Sequence, residues 1–230
     1  MANADTWGLV PVKRFSQAKC RLGDILSAAE RAKLAQAMLR DVLANLRAAT
    51  TLAGIAVVSA DPEVIAIARA FGAALIFDAD EAGTNQAVQR GLDSFFPDSP
   101  QVLVVPADIP FATPKEFDAI VNFLDCNDVV LAPAQADGGT NALAMRAPNL
   151  IAPQFGPDSF RSHRAVAREK SLRCGVLRSE GVGRDIDTAS DFGPYLISPN
   201  GLGATSSLLR EFDLADRFGI NEAPVPLRLF

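Results

Sequence analysis

The feature that most constrains this chain is a regular alternation. Short, largely apolar runs are separated by longer segments whose apolar residues recur once per helical turn. The runs are Trp7–Val12, Gly54–Ser59, Ala73–Phe77, Gln101–Pro106, Asp128–Ala132, Asn141–Met145 and Cys174–Arg178. A continuous apolar run of this length is what a strand needs when both of its faces are covered, as in a parallel sheet. The helices between them carry their own punctuation. Ser27-Ala-Ala-Glu30 is a capping box, and Leu34, Met38, Val42 and Leu46 then fall one turn apart. Asp61-Pro62 supplies a cap followed by proline at the first helical position. Thr113-Pro-Lys-Glu116 repeats both signals and opens a helix to about Asp125. Further helices are expected over about 85–95 and 158–170, with a short one from near Ser190.

Strands alternating with helices over short connections predict an α/β fold, a mostly parallel mixed sheet flanked by helices. Ligands of such sheets bind outside the carboxyl ends of the strands. Residues 1–198 read as this domain. Residues 199–230 read as a C-terminal appendage: a Gly-rich turn, an amphipathic helix over Thr205–Phe218 and a proline-containing tail. That helix can cover its own chain's sheet or join two copies in a homodimer.

A chain of 230 residues, 49% hydrophobic, buries a sizeable core without staples. The net charge of −5 argues against a general nucleic-acid binder. A phosphate ligand would then need a local basic cluster. Cys20, Cys126 and Cys174 are far apart and odd in number, which fits a reduced, cytoplasmic chain. Met1–Thr6 lacks the pattern of a signal peptide, and no apolar run approaches the roughly 20 residues of a membrane span. No GxSxG, HExxH, Walker or GxGxxG pattern occurs.

Five segments carry candidate chemistry. Lys13, Arg14, Lys19 and Arg21 follow the first strand with no acid between Asp5 and Asp24. They form a local basic patch able to neutralise a triphosphate, or else a solvated loop. Asp108 follows an apolar strand, where a carboxylate needs a partner or a metal. Asp185 and Asp187 alternate in an extended segment and so point the same way. With Asp108 they suggest a shared cation, while helix capping by Asp187 or Thr188 is the competing reading. Asp137-Gly-Gly-Thr140 permits close backbone approach and adds a hydroxyl, though hairpin turns use the same residues. Phe155-Gly-Pro-Asp-Ser159 opens a helix and offers an anion site. Arg161, Arg164 and Arg168 then follow at helical spacing and either add charge or form a solvated face. His163, the single histidine, could be catalytic, but a lone histidine on an Arg-rich helix is more often a surface residue, and it is read as one.

These segments resemble the 2-phospho-L-lactate guanylyltransferase family of deazaflavin coenzyme F(420) biosynthesis, which includes the phosphoenolpyruvate and 3-phospho-D-glycerate guanylyltransferases. The carrying stretches are Val10-Pro-Val-Lys-Arg14 with Lys19 and Arg21, Gly83 with Asn85-Gln-Ala87 and Gly91, and Pro106-Ala-Asp-Ile-Pro110. Asp137-Gly-Gly-Thr-Asn-Ala-Leu143, Phe155–Phe160 and Asp185-Ile-Asp-Thr188 complete the set. Their order over residues 7–197 makes the match specific. Pro11-Val-Lys13 replaces the glycine-rich first loop of the wider nucleotidyltransferase superfamily, a departure this family shares.

The resemblance implies a nucleotidyltransferase fold of the glycosyltransferase-A type, with GTP, Mg²⁺ and a small phospho-acid as reaction partners. It implies metal contacts at Asp108 and Asp187, with Asp185 beside them. Lys13, Arg14, Lys19 and Arg21 would face the triphosphate, and Asn85 the guanine or ribose. Thr140, Gly156 and Ser159 would grip the acceptor. A nucleotidyltransferase with another nucleotide, or with a sugar-phosphate or molybdenum-cofactor acceptor, and a non-catalytic nucleotide-binding module remain alternatives on the same fold.

Overall fold

The computed structural model describes residues 6–95, 101–193, 203–212 and 214. The N-terminal stretch Met1–Asp5, most of the expected Gly-rich turn and the chain beyond residue 214 lie outside the described residues.

Seven strands form one sheet: β1 (Thr6–Pro11), β2 (Leu52–Ser59), β3 (Ala74–Phe77), β4 (Gln101–Val104), β5 (Val129–Pro133), β6 (Thr140–Met145) and β7 (Cys174–Val176). Their order is β3-β2-β1-β4-β6-β5-β7. All pair in parallel except β6, which runs antiparallel to both β4 and β5. The expected mostly parallel mixed sheet is therefore what forms.

The strands read as continuous apolar runs because both faces are buried. Val10, Val57, Leu103 and Val130 enter one core, and their neighbours Leu9, Val58, Val104 and Leu131 enter the other. Helices α1 (Ala28–Ala48), α2 (Pro62–Ala70) and α4 (Pro114–Asn122) cover the first face through residues such as Leu34, Met38, Ile67 and Phe117. Helices α3 (Thr84–Phe95) and α5 (Ser159–Glu169) cover the second through Val88, Leu92 and Ala167. At Gly91 on α3, a Cβ would lie 2.7 Å from a Leu9 methyl group, so only glycine permits this close approach to β1.

The caps form as the sequence suggests. Ser27 with Glu30 and Thr113 with Glu116 make full capping boxes, and Asp61 caps α2 with Pro62 at its start. The helix expected to reach Asp125 ends at Asn122 and tightens into a 3-10 turn over Phe123–Asp125. The helix expected near Ser190 is a single 3-10 turn, Ala189–Phe192.

Helix α6 (Ala204–Glu211) is the described part of the appendage. It packs on α1 of its own chain, and Leu209, Phe212 and Leu214 join the first core. The Asp41 carboxylate of α1 accepts hydrogen bonds from the backbone N–H groups of Ala204 (2.7 Å) and Thr205 (2.8 Å). A side chain from another helix thus satisfies two otherwise orphaned donors of α6.

Candidate active site

Because β1 and β4 are parallel neighbours, their carboxyl ends place two loops side by side. The loop after β1 carries the basic cluster. Asp61 fixes it by accepting a hydrogen bond from Phe15 N–H at 2.8 Å, and Phe15 itself is buried in the core. Two 3-10 turns, Phe15–Gln17 and Cys20–Leu22, flank Lys19, whose backbone is left-handed with φ of 53°. That turn directs the Lys19 side chain inward, where it is only 7% exposed.

The Lys19 ammonium donates to Asp108 Oδ2 and to Asp187 Oδ1, both at 2.6 Å. Asp108 sits just beyond β4, and its backbone carbonyl accepts the N–H of Ile186 at 3.1 Å. That bond locks the two acidic segments together. Ile186 is fully buried, so Asp185 and Asp187 on either side of it are presented at the cleft. Arg21 adds a longer contact to Asp187, at 3.6 Å.

The electrostatics follow from these contacts. Burial opposes the charge on Lys19, yet Asp108 and Asp187 together hold its pKa above the ordinary value. Burial likewise opposes ionisation of Asp187, but the charge and hydrogen bond of Lys19, then Arg21 and Lys13, keep it below the ordinary value. Asp185 behaves differently. Burial raises its pKa, a hydrogen bond from Asn141 Nδ2 at 3.0 Å only partly compensates, and the negative charges of Asp108 and Asp187 raise it further.

The contacts run on from Asp185 through Asn141 to Thr140 at the start of β6. Thr140, Gly156 and Ser159 line the same cleft as the acidic cluster, a cavity of about 540 Å³. Gly156 has φ of 137°, a backbone state closed to residues with a Cβ. Ser159 is the first residue of α5, and the N–H of Phe160 donates to the Gly138 carbonyl at 3.2 Å, tying that helix to the Gly-rich turn.

Most of the residues singled out in the sequence therefore meet in one cleft: Lys13, Lys19, Arg21, Asp108, Asp185, Asp187, Thr140, Gly156 and Ser159. Two are engaged elsewhere. Arg14, expected at the triphosphate, forms two 2.6 Å hydrogen bonds with Glu81 across the loops that follow β1 and β3. Asn85, expected at the base or ribose, accepts from Phe155 N–H at 2.6 Å and donates to the Phe155 carbonyl at 3.0 Å. Both ends of its amide are used, so it shapes the wall of the cleft.

Arg161, Arg164 and Arg168 form an exposed face, with Arg164 over the Phe160 ring at 5.6 Å. His163 overturns its expected surface position: it is fully buried. Ser159, His163 and Ala167 are the buried residues of α5. Their four-residue spacing marks a core face that the intervening arginines obscure.

Among the described residues, no group of three His, Cys, Asp or Glu side chains is gathered closely enough to hold a metal alone. The Lys19 ammonium stands between Asp108 and Asp187 instead, and Asp185 turns to Asn141. The donor chemistry still fits Mg²⁺, which takes hard oxygen ligands and commonly uses one or two carboxylates with phosphate oxygens and water. Lys19 itself marks a place where this site stabilises positive charge.

A mixed sheet of this order, with a cationic loop and carboxylates at its carboxyl edge, is a nucleotidyltransferase-type fold. It is shared with a candidate nucleotide-diphospho-sugar transferase from Desulfovibrio desulfuricans G20, at a TM-score of 0.75 and 20% identity, covering 95% of this chain and 98% of that one. The model of the family described as "Guanylyl transferase CofC like" matches residues 6–220, and the chain belongs to that family of nucleotidyltransferase enzymes. Among its relatives is a phosphoenolpyruvate guanylyltransferase of Sphaerobacter thermophilus, 39% identical over 81% of this chain and 90% of the relative. A 2-phospho-L-lactate guanylyltransferase of Methanothermobacter thermautotrophicus is 34% identical over 88% of this chain and 89% of its own length. A 3-phospho-D-glycerate guanylyltransferase of Phenylobacterium zucineum is 36% identical over 76% of this chain and 82% of its own.

Proposed function

We propose that the protein transfers GMP from GTP to a small phosphorylated carboxylic acid, releasing pyrophosphate, as a cytoplasmic, magnesium-dependent step in deazaflavin coenzyme biosynthesis. The acceptor is drawn from phosphoenolpyruvate, 3-phospho-D-glycerate and 2-phospho-L-lactate. The observation that carries this reading is the gathering, in one cleft, of a cationic loop, the carboxylates of Asp108, Asp185 and Asp187, and a wall of Thr140, Gly156 and Ser159 suited to a second anion.

In this reading a phosphate oxygen of the acceptor attacks the α-phosphorus of GTP. A new P–O bond forms, the bond from the α-phosphorus to the bridging oxygen breaks, and pyrophosphate leaves with that electron pair. The nucleophile is already an anion, so no proton needs to be removed. Catalysis is then alignment and charge stabilisation. Lys13, Lys19 and Arg21 face the triphosphate and the leaving pyrophosphate. Thr140, Gly156 and Ser159 orient the acceptor. Asp108 and Asp187, with Asp185 beside them, would hold Mg²⁺, which supplies charge neutralisation of the phosphates when bound.

The test is pyrophosphate release by the purified protein with GTP and Mg²⁺, each acid supplied separately. Release with one acid and GTP, lost on chelation of Mg²⁺, is expected. Preference for CTP, UTP or ATP, or nucleotide binding without release, would overturn the reading.

A further inference from the structure

The reaction above makes no use of His163. As the chain's single histidine, fully buried, its ring nitrogens both need partners. Nε2 lies 2.9 Å from the backbone N of Gln154. A backbone N–H can only donate, so Nε2 is the unprotonated nitrogen. Burial lowers the ring's pKa to about 4, leaving it neutral near pH 7. Its one proton is therefore on Nδ1. Nδ1 lies 3.1 Å from Thr140 Oγ1. The direction of that bond is now fixed: the ring donates and the hydroxyl accepts. The Thr140 proton is turned away from the ring, and Thr140 lines the cleft.

The same ring braces the facing wall. Its Nε2 holds Gln154, and the Phe155 ring packs edge-on against it, with centroids 5.1 Å apart at 70°. Asn85 then clamps both backbone groups of Phe155. The segment so fixed leads directly into Gly156 and Ser159.

We propose that His163 is a positioning residue for the acceptor: by donating Nδ1–H to Thr140 it makes the threonine hydroxyl a committed donor toward the cleft. The site then selects an oxyanion, the carboxylate or phosphate end of the acid, over a group that can only donate. The proposal rests on the acceptor reading of Thr140, Gly156 and Ser159.

Two measurements test it. The first uses ¹⁵N NMR of the imidazole in the unaltered protein, where one histidine gives unambiguous signals. A protonated Nδ1 with an unprotonated Nε2 is expected at neutral pH; the opposite tautomer overturns the proposal. The second is kinetic. His163→Gln keeps an acceptor near Nε2 but loses the Nδ1 donor, whereas His163→Asn keeps a donor near Nδ1. His163→Gln should raise KM for the phospho-acid about 10-fold, leaving KM for GTP and kcat within about twofold. His163→Asn should restore most of the loss. In a Thr140→Val background His163→Gln should add nothing further. Additive effects, or equal loss of GTP and acid affinity, overturn the proposal while leaving the functional reading intact. A Thr140→Val enzyme with unchanged KM for the acid overturns the acceptor assignment on which it rests. Absence of pyrophosphate release by the parent protein with every acid overturns the functional reading and this proposal together.

Discussion

Mild acid should weaken this protein, and the main cause should be one side chain. His163 is fully buried, and burial is the one force that shifts it, from 6.5 in an exposed chain to about 4 in the fold. On acidification the unfolded chain takes up the proton first. The stabilisation is therefore complete above about pH 6.5 and is lost as the pH falls toward 4. A gap of roughly 2.5 units at 1.36 kcal/mol each makes the whole effect about 3 kcal/mol, of which about 2 kcal/mol is gone by pH 5. Against a usual stability of about 5–15 kcal/mol this is a large fraction. Urea denaturation at half-unit steps from pH 8 to 5 measures it, in the parent and in His163→Asn, which has no proton to gain. Asp185 and Asp187 titrate in both proteins, so they cancel from the difference. The reasoning is refuted if the two curves stay parallel from pH 7 to 5. It is equally refuted if the folded histidine titrates near 6.5 by NMR.

Three other expectations are independent of that one. Lys19→Met removes the ammonium from between Asp108 and Asp187; pyrophosphate release should fall about 100-fold or more, and turnover within about threefold of the parent would remove Lys19 from the mechanism. Asp108→Asn keeps the shape of the side chain but loses its charge, so turnover should collapse while the urea midpoint shifts little; equal activity in the folded variant would exclude a role for Asp108. Asp41→Ala frees two N–H groups at the start of α6 and should cost about 1–2 kcal/mol in denaturation with kcat unchanged.

The fold was legible because its strands are buried on both faces. Leu103 and Val104 serve opposite cores, so β4 had to be apolar at successive positions, and a run of that kind is visible in sequence. The caps at Ser27, Asp61 and Thr113 were legible because they are local. The direction of β6 was not. Thr140–Met145 is buried at every position, and a run with no alternation says nothing about which way it pairs. The site was legible as a set of places but not as a set of partners. Asp108, Asp185 and Asp187 could be found from their positions after strands. Their pairing with Lys19 spans 89 residues to Asp108 and 168 to Asp187, and no local pattern reaches that far. Lys13, Arg14, Lys19 and Arg21 were equivalent as charges. The left-handed backbone at Lys19 and the presence of Glu81 opposite Arg14 are what separate them.

That separation bears on how the cleft can accept a triphosphate. Arg14, which does not line the cleft, is neutralised by Glu81, which does, and Lys19 by two carboxylates. Lys19 and Arg21 face three carboxylates, and Asp185 has no cation partner among the described residues. Its raised pKa expresses this imbalance: burial and the charges of Asp108 and Asp187 all act against its ionisation. A polyphosphate approaching such a cluster adds negative charge to an excess already present. Lys13 alone, exposed at the rim, would be heavily screened by solvent. On the proposed reading Asp108 and Asp187 would hold a divalent cation, which would supply charge neutralisation for the phosphates, while Lys19 would answer charge that develops on the leaving pyrophosphate. Nucleotide affinity should then rise with Mg²⁺ in the parent protein and lose most of that rise in Asp108→Asn, as isothermal titration with a non-hydrolysable GTP analogue can read directly. Tight, Mg²⁺-independent binding would mean that the loop cations suffice and that the acidic cluster serves some purpose other than holding a metal.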